Sequence, residues 1–363
     1  MTARTFALIA LAVSAAAGSS QKPATALRPH PRGYVALRAE TPVAVDGALD
    51  DAAWKRATWS DQFVDIEGDV KPRPTWPTRV KMLWDDAFLY VGAELVEPHI
   101  WATQTKHDSV IFHENDFEVF LDPDGDNREY YEFEINALGT YWDLRLPRPY
   151  RDGGKAVDSW EIPGLKSAVR IDGTLNDAKD RDRSWSVELA FPWTVLKKYT
   201  KSAAPPRDGD QWRINFSRVE WDVEPSATGY TKIPKRPEHN WVWSPQGAID
   251  MHRPEMWGYV QFSTRPGAKF VPDRSWPARA WLYEVYYAQR AFRQTHNRYA
   301  TSMAELGLLL PARRGLSNAT IASDSPDLYT AWVTVAEGNA SRYRCSINQE
   351  SAIGVFTAVD QPQ

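Results

Sequence analysis

The stretch FHENDFEVFLDPDGDNREYYEFEINALGTYWDLRL, Phe112 to Leu146, holds two runs in which apolar and polar residues alternate with period two. That is the pattern of strands with one buried face. Phe117, Val119 and Leu121 fall on one face of the first run, with Asp116, Glu118 and Phe120 on the other. Tyr131, Phe133 and Ile135 repeat the arrangement against Glu132, Glu134 and Asn136. The DPDGDN between them is made of turn formers, so a hairpin is predicted. Ala137-Leu138-Gly139 then turns the chain into a third strand, Tyr141 to Leu146. One face of this meander is core. The other gathers acids, an amide and aromatic rings.

Working outward, Val43 to Val45 runs into the turn dipeptide Asp46-Gly47, and Asp50 stands as N-cap to a short helix carrying Trp54 and Ala57. Residues 78–96 read as two strands joined by Asp85-Asp86, and further strands are expected near 169–171, 185–191, 212–220 and 257–262. Helical periodicity is scarce before residue 270, which predicts a β-sandwich or barrel over 34–264. Residues 265–276, rich in Pro, form a linker. Trp281, Val285, Ala288 and Phe292 then recur at helical spacing. Ser302-Met303-Ala304-Glu305 is a capping box expected to open a short helix ended by Gly307. Strands are expected at 328–335, 342–347 and 353–359. The fold class is mainly β, with a small α+β domain over 277–363.

The chain has 363 residues, a formal net charge of -4 and a pI near 6.0. No basic run stands out, which argues against a nucleic-acid partner or an anionic membrane surface. The single Cys345 excludes an internal disulfide and any cysteine-based metal cluster. At the N-terminus, Arg4 precedes an apolar run from Phe6 to Ala17 and then Ser19-Ser20-Gln21. Residues 1–20 therefore read as a signal peptide and 21–33 as a disordered spacer. The apolar run falls short of the roughly 20 residues of a membrane span. A secreted or periplasmic protein, with no membrane span after signal removal, is expected.

Several segments together resemble the family 9 carbohydrate-binding modules and their relatives in the DOMON-like β-sandwich superfamily. They are VDGALD at 45–50 with Trp54, LWDDAFLYVGAEL at 83–95, ENDFEVFLD at 114–122, YYEFEIN at 130–136 and WSVELAFPW at 185–193. WRINFSR and WVWSPQGAIDMHRPEMWGYVQF complete the set. The resemblance implies a jelly-roll-like β-sandwich, structural calcium in some members, and a sugar gripped between two tryptophans. Phe112 stands where the first of those tryptophans belongs, and Met251 near the second. Asn136 matches an amide that members use against sugar hydroxyls. Some DOMON-like relatives are b-type cytochromes, so Met251 or His252 enters as an axial-ligand candidate; adjacent strand residues point to opposite faces, so one of them would pair with Met82 or another His. Near the C-terminus, YYAQRAFRQTHNRYATSMAELGL is similar to the helix and turn of type IV pilin-like proteins.

A pyranose offers an apolar face and a rim of hydroxyls, so its site needs a flat ring and forked polar groups. Phe112, Trp142, Trp241 and Trp243 can supply rings, and Asp116, Asn136, Asn215 and Arg218 the polar fork. Against this stands the reading that the tryptophans pin strand ends in the core. Asp116, Glu118, Glu132 and Glu134 crowd one sheet face, and like charges there repel unless compensated. Arg145, Arg213 or Arg218 can compensate them, and so can calcium. Asp122, Asp124 and Asp126 have the beginning of a calcium-loop spacing, but Asn127 and Phe133 stand where an EF-hand has Gly and Glu. Two readings stay open there: solvated turn acids, or calcium. His99, His107 and His113 are too irregularly spaced for a metal pattern.

No Ser/His/Asp order, P-loop or zincin motif is present, so no catalytic residues are assigned. The expected function is non-catalytic binding of oligo- or polysaccharide in support of carbohydrate catabolism, with no organic cofactor. The alternatives are a structural or docking protein whose C-terminal domain meets a protein partner, a b-type haem domain, and a glycoside hydrolase accessory with its own activity.

Overall fold

The computed structural model describes residues 28–227, 229–311, 315–337 and 341–357. The expected signal peptide and most of the spacer lie outside them. The chain enters as β1 (Gly33–Arg38), makes a helical turn α1 (Ala52–Arg56), and continues through β2 (Val64–Asp65), β3 (Thr78–Trp84) and β4 (Phe88–Val96). The opening meander is β5 (Asp116–Asp122), β6 (Tyr130–Asn136) and β7 (Tyr141–Leu146), as its alternation predicts. Then come β8 (Lys166–Asp172), β9 (Ser184–Pro192), α2 (Trp193–Leu196), β10 (Gln211–Glu220), β11 (Val223–Ser226), β12 (Gly229–Lys232), β13 (His239–Val242) and β14 (Gly258–Ser263).

β11 and β12 pair with each other in a separate ribbon; the other strands form one curled sheet, in the order β7-β6-β5-β10-β14-β1-β3-β4-β9-β8 with β13 and β2 beside it. The long strand β10 lies inside it and has two partners along one edge. Its first half pairs with β14 and its second half with β13, which in turn pairs with β2. The curl brings two layers face to face, a mainly β, jelly-roll-like sandwich. Phe117, Val119, Leu121, Tyr131, Phe133 and Ile135 from the meander meet Val91, Ala93, Leu95, Val187, Leu189 and Phe191 across the core. Burying such side chains is the main stabilising term, roughly 1.5–3 kcal/mol for each large one.

After residue 263 the helix α3 (Trp276–His296) packs on a four-stranded meander of β15 (Leu316–Ser325), β16 (Leu328–Glu337), β17 (Ser341–Asn348) and β18 (Ile353–Thr357). Asn297, in the left-handed region, ends the helix by donating its backbone N–H to Arg293 O. Two local expectations are corrected. The cap of α1 is Asp51, not Asp50, and its carboxylate accepts from Ala44 N instead of the helix. Glu305 does bond Thr301 N and Ser302 Oγ does accept from Glu305 N, yet residues 302–307 form turns and no helix. Strand β15 escaped notice because LSNATIASDS is mostly polar and lies at the sheet edge. Among the described residues, no helix is long and apolar enough to cross a membrane.

The two units are closely joined. Arg151 Nη2 lies 2.8 Å from Glu255 Oε2, and Tyr287 OH of α3 donates to Glu255 Oε1 at 2.5 Å. Asp152 accepts from Tyr286 OH and from Ser351 Oγ, and Asn127 Nδ2 donates to Tyr283 OH at 2.9 Å. Burial alone would raise the Glu255 carboxyl, but Arg151, Arg253 and the Tyr287 hydroxyl hold it at about 2. Removing one partner from such a buried set leaves charges uncompensated. Glu255→Gln should therefore cost about 3–5 kcal/mol and lower one shared melting transition by calorimetry. Two separate transitions, with only the smaller one shifted, would show that the sandwich does not depend on this contact.

Candidate functional site

Residues that pair directly across a sheet point to the same face. Trp142 pairs with Glu134, Glu134 with Glu118, and Glu118 with Ser217, so one row crosses β7, β6, β5 and β10. The row below is Leu144, Glu132, Phe120 and Asn215, and the row above includes Asn136 and Asp116. This is the outer face of the meander, opposite the core. Asp116, Glu118, Glu132 and Glu134 are all buried there, covered by the Ile111–His113 turn, Tyr130, Met251 and Trp257.

The arginines expected to compensate these acids are elsewhere. Arg145 pairs with Glu129 and lies over the Tyr199 ring. Arg213 Nη2 donates to the carbonyls of Pro254, Glu255 and Trp257. Arg218 points to the core side, where it meets Glu97 at 2.6 Å and Glu220 at 2.8 Å. Among the described residues no guanidinium pairs with them, and burial raises their affinity for protons. Burial pushes the Glu118 carboxyl up to about 7. Burial, then the charge of Glu118, also pushes Asp116, Glu132 and Glu134 well above the usual carboxylate range. A set of carboxyls in mixed protonation presents both donors and acceptors, which is what a rim of hydroxyls requires.

Three polar atoms on this face have no hydrogen-bond partner although all are enclosed: Asp116 Oδ2, Trp142 Nε1 and Ser217 Oγ. An enclosed donor or acceptor left unmatched costs about 1–3 kcal/mol. Phe112 stands exposed at the rim, its backbone N–H donating to Glu134 Oε2 at 3.0 Å. Beside it lies Trp221, whose Nε1 donates to Phe112 O at 3.0 Å and whose ring carries Lys232 Nζ at 3.5 Å. Sequence reasoning missed Trp221 because it follows the regular alternation of β10 and looks like a strand end.

Of the sequence candidates, Phe112, Asp116 and Trp142 are therefore brought together and the rest are not. Trp241 and Trp243 are core residues; a Cβ on Gly258 would lie 2.2 Å from the Trp243 ring, so glycine is required there for that ring to pack. Asn136 is fully buried with its hydrogen-bonding capacity used internally. It donates to Gln104 O and Glu114 Oε1 and accepts from Leu138 N and Thr140 N. Asn215 exchanges two bonds with the backbone of Ser244. Arg218 is locked as described. These five assignments are corrected: each side chain is committed to the fold.

The hairpin acids do converge, with one oxygen each of Asp122, Asp124 and Asp126 within 4.8 Å of one another. Asp122 already accepts from Gly125 N and Asn127 N, Asp124 from Lys201 N, and Asp126 lies 3.2 Å from Lys201 Nζ. Lys201 is a cation beside this loop and pairs with Asp126, so the three carboxylates stand as a candidate calcium group with one lysine against them. The haem candidates are committed. Met251 packs with Phe120 and Trp257, His252 Nδ1 lies 3.0 Å from Tyr130 OH, and Met82 belongs to the separate sandwich core. Burial, with Arg151 nearby, lowers His252 to about 3, so its ring is neutral.

The raised carboxyls set a pH dependence. Glu118 rises from an ordinary 4.5 to about 7 on folding, so between these values the folded chain binds more protons than the unfolded one. Stability from this group is present below 4.5 and is lost as pH rises through 7. Glu118→Gln, permanently neutral, should gain about 1–3 kcal/mol over the parent at pH 8 and nothing near pH 4. Denaturant melts at both pH values check it. An offset that is equal at the two would contradict the assignment.

The comparisons with known proteins agree in kind. A stretch of 156 residues is 26% identical to part of exoglucanase XynX of Acetivibrio thermocellus, spanning 43% of this chain and 12% of that protein. The chain thus covers about an eighth of that curated relative's length. Two solved structures of a carbohydrate binding module family 9 from Caldicellulosiruptor kristjanssonii are similar. The one in complex with cellotriose has a TM-score of 0.41 at 16% identity, covering 67% of this chain and 99% of its own. The one in complex with glucose has a TM-score of 0.42 at 15% identity, covering 66% and 100%. Residues 45–241, more than half of the chain, match the family described as carbohydrate family 9 binding domain-like, and the chain belongs to that family.

Proposed function

We propose that this chain binds oligo- or polysaccharide without cleaving it, in the crevice between Phe112, Trp142 and the acids of β5 and β6. The observation that carries the reading is the enclosed, unmatched state of Trp142 Nε1 and Asp116 Oδ2 on a face lined by protonatable carboxyls. Family membership supports the ligand class. A ring face of the sugar rests on Phe112 or Trp142, and its hydroxyls exchange hydrogen bonds with Glu118 and Glu132, which retain 5% and 6% exposure. Asp116 is wholly enclosed, which favours holding a hydroxyl over attacking a glycosidic bond. Sugars bearing carboxylates are disfavoured by the acids. Export belongs to the same proposal and rests on the apolar run Phe6 to Ala17 and the small residues after it. No step is assigned to calcium.

With few rings and a narrow opening, affinity should be modest, a Kd of about 0.1–1 mM, near -5 kcal/mol. Trp142→Phe keeps a ring and removes the N–H. It should weaken neutral oligosaccharides by about 0.5–1.5 kcal/mol in titration calorimetry. Its melting temperature should not fall, because the N–H it removes has no partner in the free protein. Unchanged affinity in the variant contradicts the site, and failure of the parent chain to bind any neutral oligosaccharide contradicts the function. New reducing ends during the titration would point instead to hydrolysis by the same carboxyls.

A further inference from the structure

A second cluster lies across β7 from the crevice. Trp142 and Asp143 are adjacent on that strand and so point to opposite faces. Asp143 is fully enclosed; its Oδ2 accepts from Ile162 N at 2.7 Å, while its Oδ1 has no hydrogen-bond partner. That atom faces His107 Nε2 at 3.7 Å. The same Nε2 lies 3.2 Å from Glu161 Oε2 and 3.3 Å from Asp108 Oδ1. Three segments of chain thus converge: the loop before β5, the edge strand β7, and the loop that follows it.

The other ring nitrogen fixes the chemistry. His107 Nδ1 lies 3.1 Å from Tyr141 O, and a carbonyl can only accept, so Nδ1 carries a hydrogen. In the neutral ring the Nε2 lone pair is then aimed at carboxylate oxygens, a repulsive arrangement relieved by a proton on Nε2, which then donates to Glu161 Oε2 at 3.2 Å, or by a metal ion between them. A backbone carbonyl on Nδ1 with Nε2 turned toward carboxylate oxygens is the arrangement that orients histidine toward a metal. Ligands about 2.0–2.1 Å from a tetrahedral ion stand roughly 3.3–3.4 Å apart. The distances from Nε2 bracket that value, and the donor atoms of His107, Asp143 and Glu161 all lie within 4.8 Å of one another.

We propose that His107, Asp143 and Glu161 form a site for a zinc-class divalent ion, with Asp108 or water completing the coordination. An imidazole with carboxylates suits zinc, whereas calcium is held by oxygens alone. The ion fastens the loops at residues 107 and 161 to the sheet edge and removes the unmatched charge of Asp143. The site is absent from the histidine spacing because its three ligands come from separate segments, joined only by folding.

The test uses the full mature chain, purified without a histidine tag, stripped with chelator and titrated with zinc chloride. One equivalent should bind. His107→Gln and Glu161→Gln, at side chains 42% and 54% exposed and so tolerant of change, should each weaken it at least about tenfold. Asp124→Asn at the distant hairpin should leave zinc binding as it is. Cobalt in place of zinc should give visible ligand-field absorption that His107→Gln abolishes. Absence of zinc binding overturns the proposal and leaves His107 as a protonated ion-pair centre. Zinc binding that is equal in the parent and both variants overturns it too, by assigning the ion to other groups.

Discussion

Period-two alternation across β5 and β6 is the constraint on which the rest depends. One face of this hairpin has to be dry, because Phe117, Val119, Leu121, Tyr131, Phe133 and Ile135 make up one wall of the sandwich core. The other face then receives every intervening residue, and four of those are carboxyls in adjacent register. A slip of one residue would exchange the two sets and bury the acids in the core. The register that makes the core therefore also concentrates the acids, and the site is a consequence of the packing as much as an addition to it.

Concentrating acids has a physical cost, and in place of paired guanidinium groups these buried carboxyls have a raised affinity for protons. Arginine is abundant in the chain, yet Arg145, Arg213 and Arg218 are each engaged with other carbonyls or carboxylates. Glu118, Glu132 and Glu134 instead sit near each other with raised affinity for protons. Glu255 shows the opposite solution in the same molecule: equally buried, but flanked by Arg151 and Arg253, it stays ionised and ties the helix α3 to the sandwich. Paired charge serves the joint between the two units. Among the described residues, carboxyls without a guanidinium partner crowd the outer face of the meander.

The fold was legible because its signals are local. Alternation located β5, β6 and β7, the Asp85-Asp86 turn located β3 and β4, and helical spacing located α3. The site was legible only in part, because which face a tryptophan or an amide meets depends on partners far along the chain. Trp241 and Trp142 look alike in sequence, yet one lies against Arg218 inside the sandwich and the other stands opposite Glu134 on the outer face. Asn136 pairs with Asp116 on the acid face as expected, but the tight turn after it consumes its amide. His107 shows the same limit, since its neighbours Asp143 and Glu161 are distant in sequence and their approach is set by the edge strand.

The central claim is that sugar meets the outer face of the meander at Trp142. The indole N–H resonances of the 17 tryptophans report it directly, with Trp142 assigned by its loss in Trp142→Phe. Titration with a neutral oligosaccharide should move the Trp142 and Trp221 resonances along one saturating curve while the core indoles of Trp212 and Trp243 stay fixed. A groove of about 560 Å³ outside β7, lined by Trp160, Tyr199, Arg145 and Lys198, offers the competing location. Movement of the Trp160 resonance with Trp142 unchanged would contradict the account.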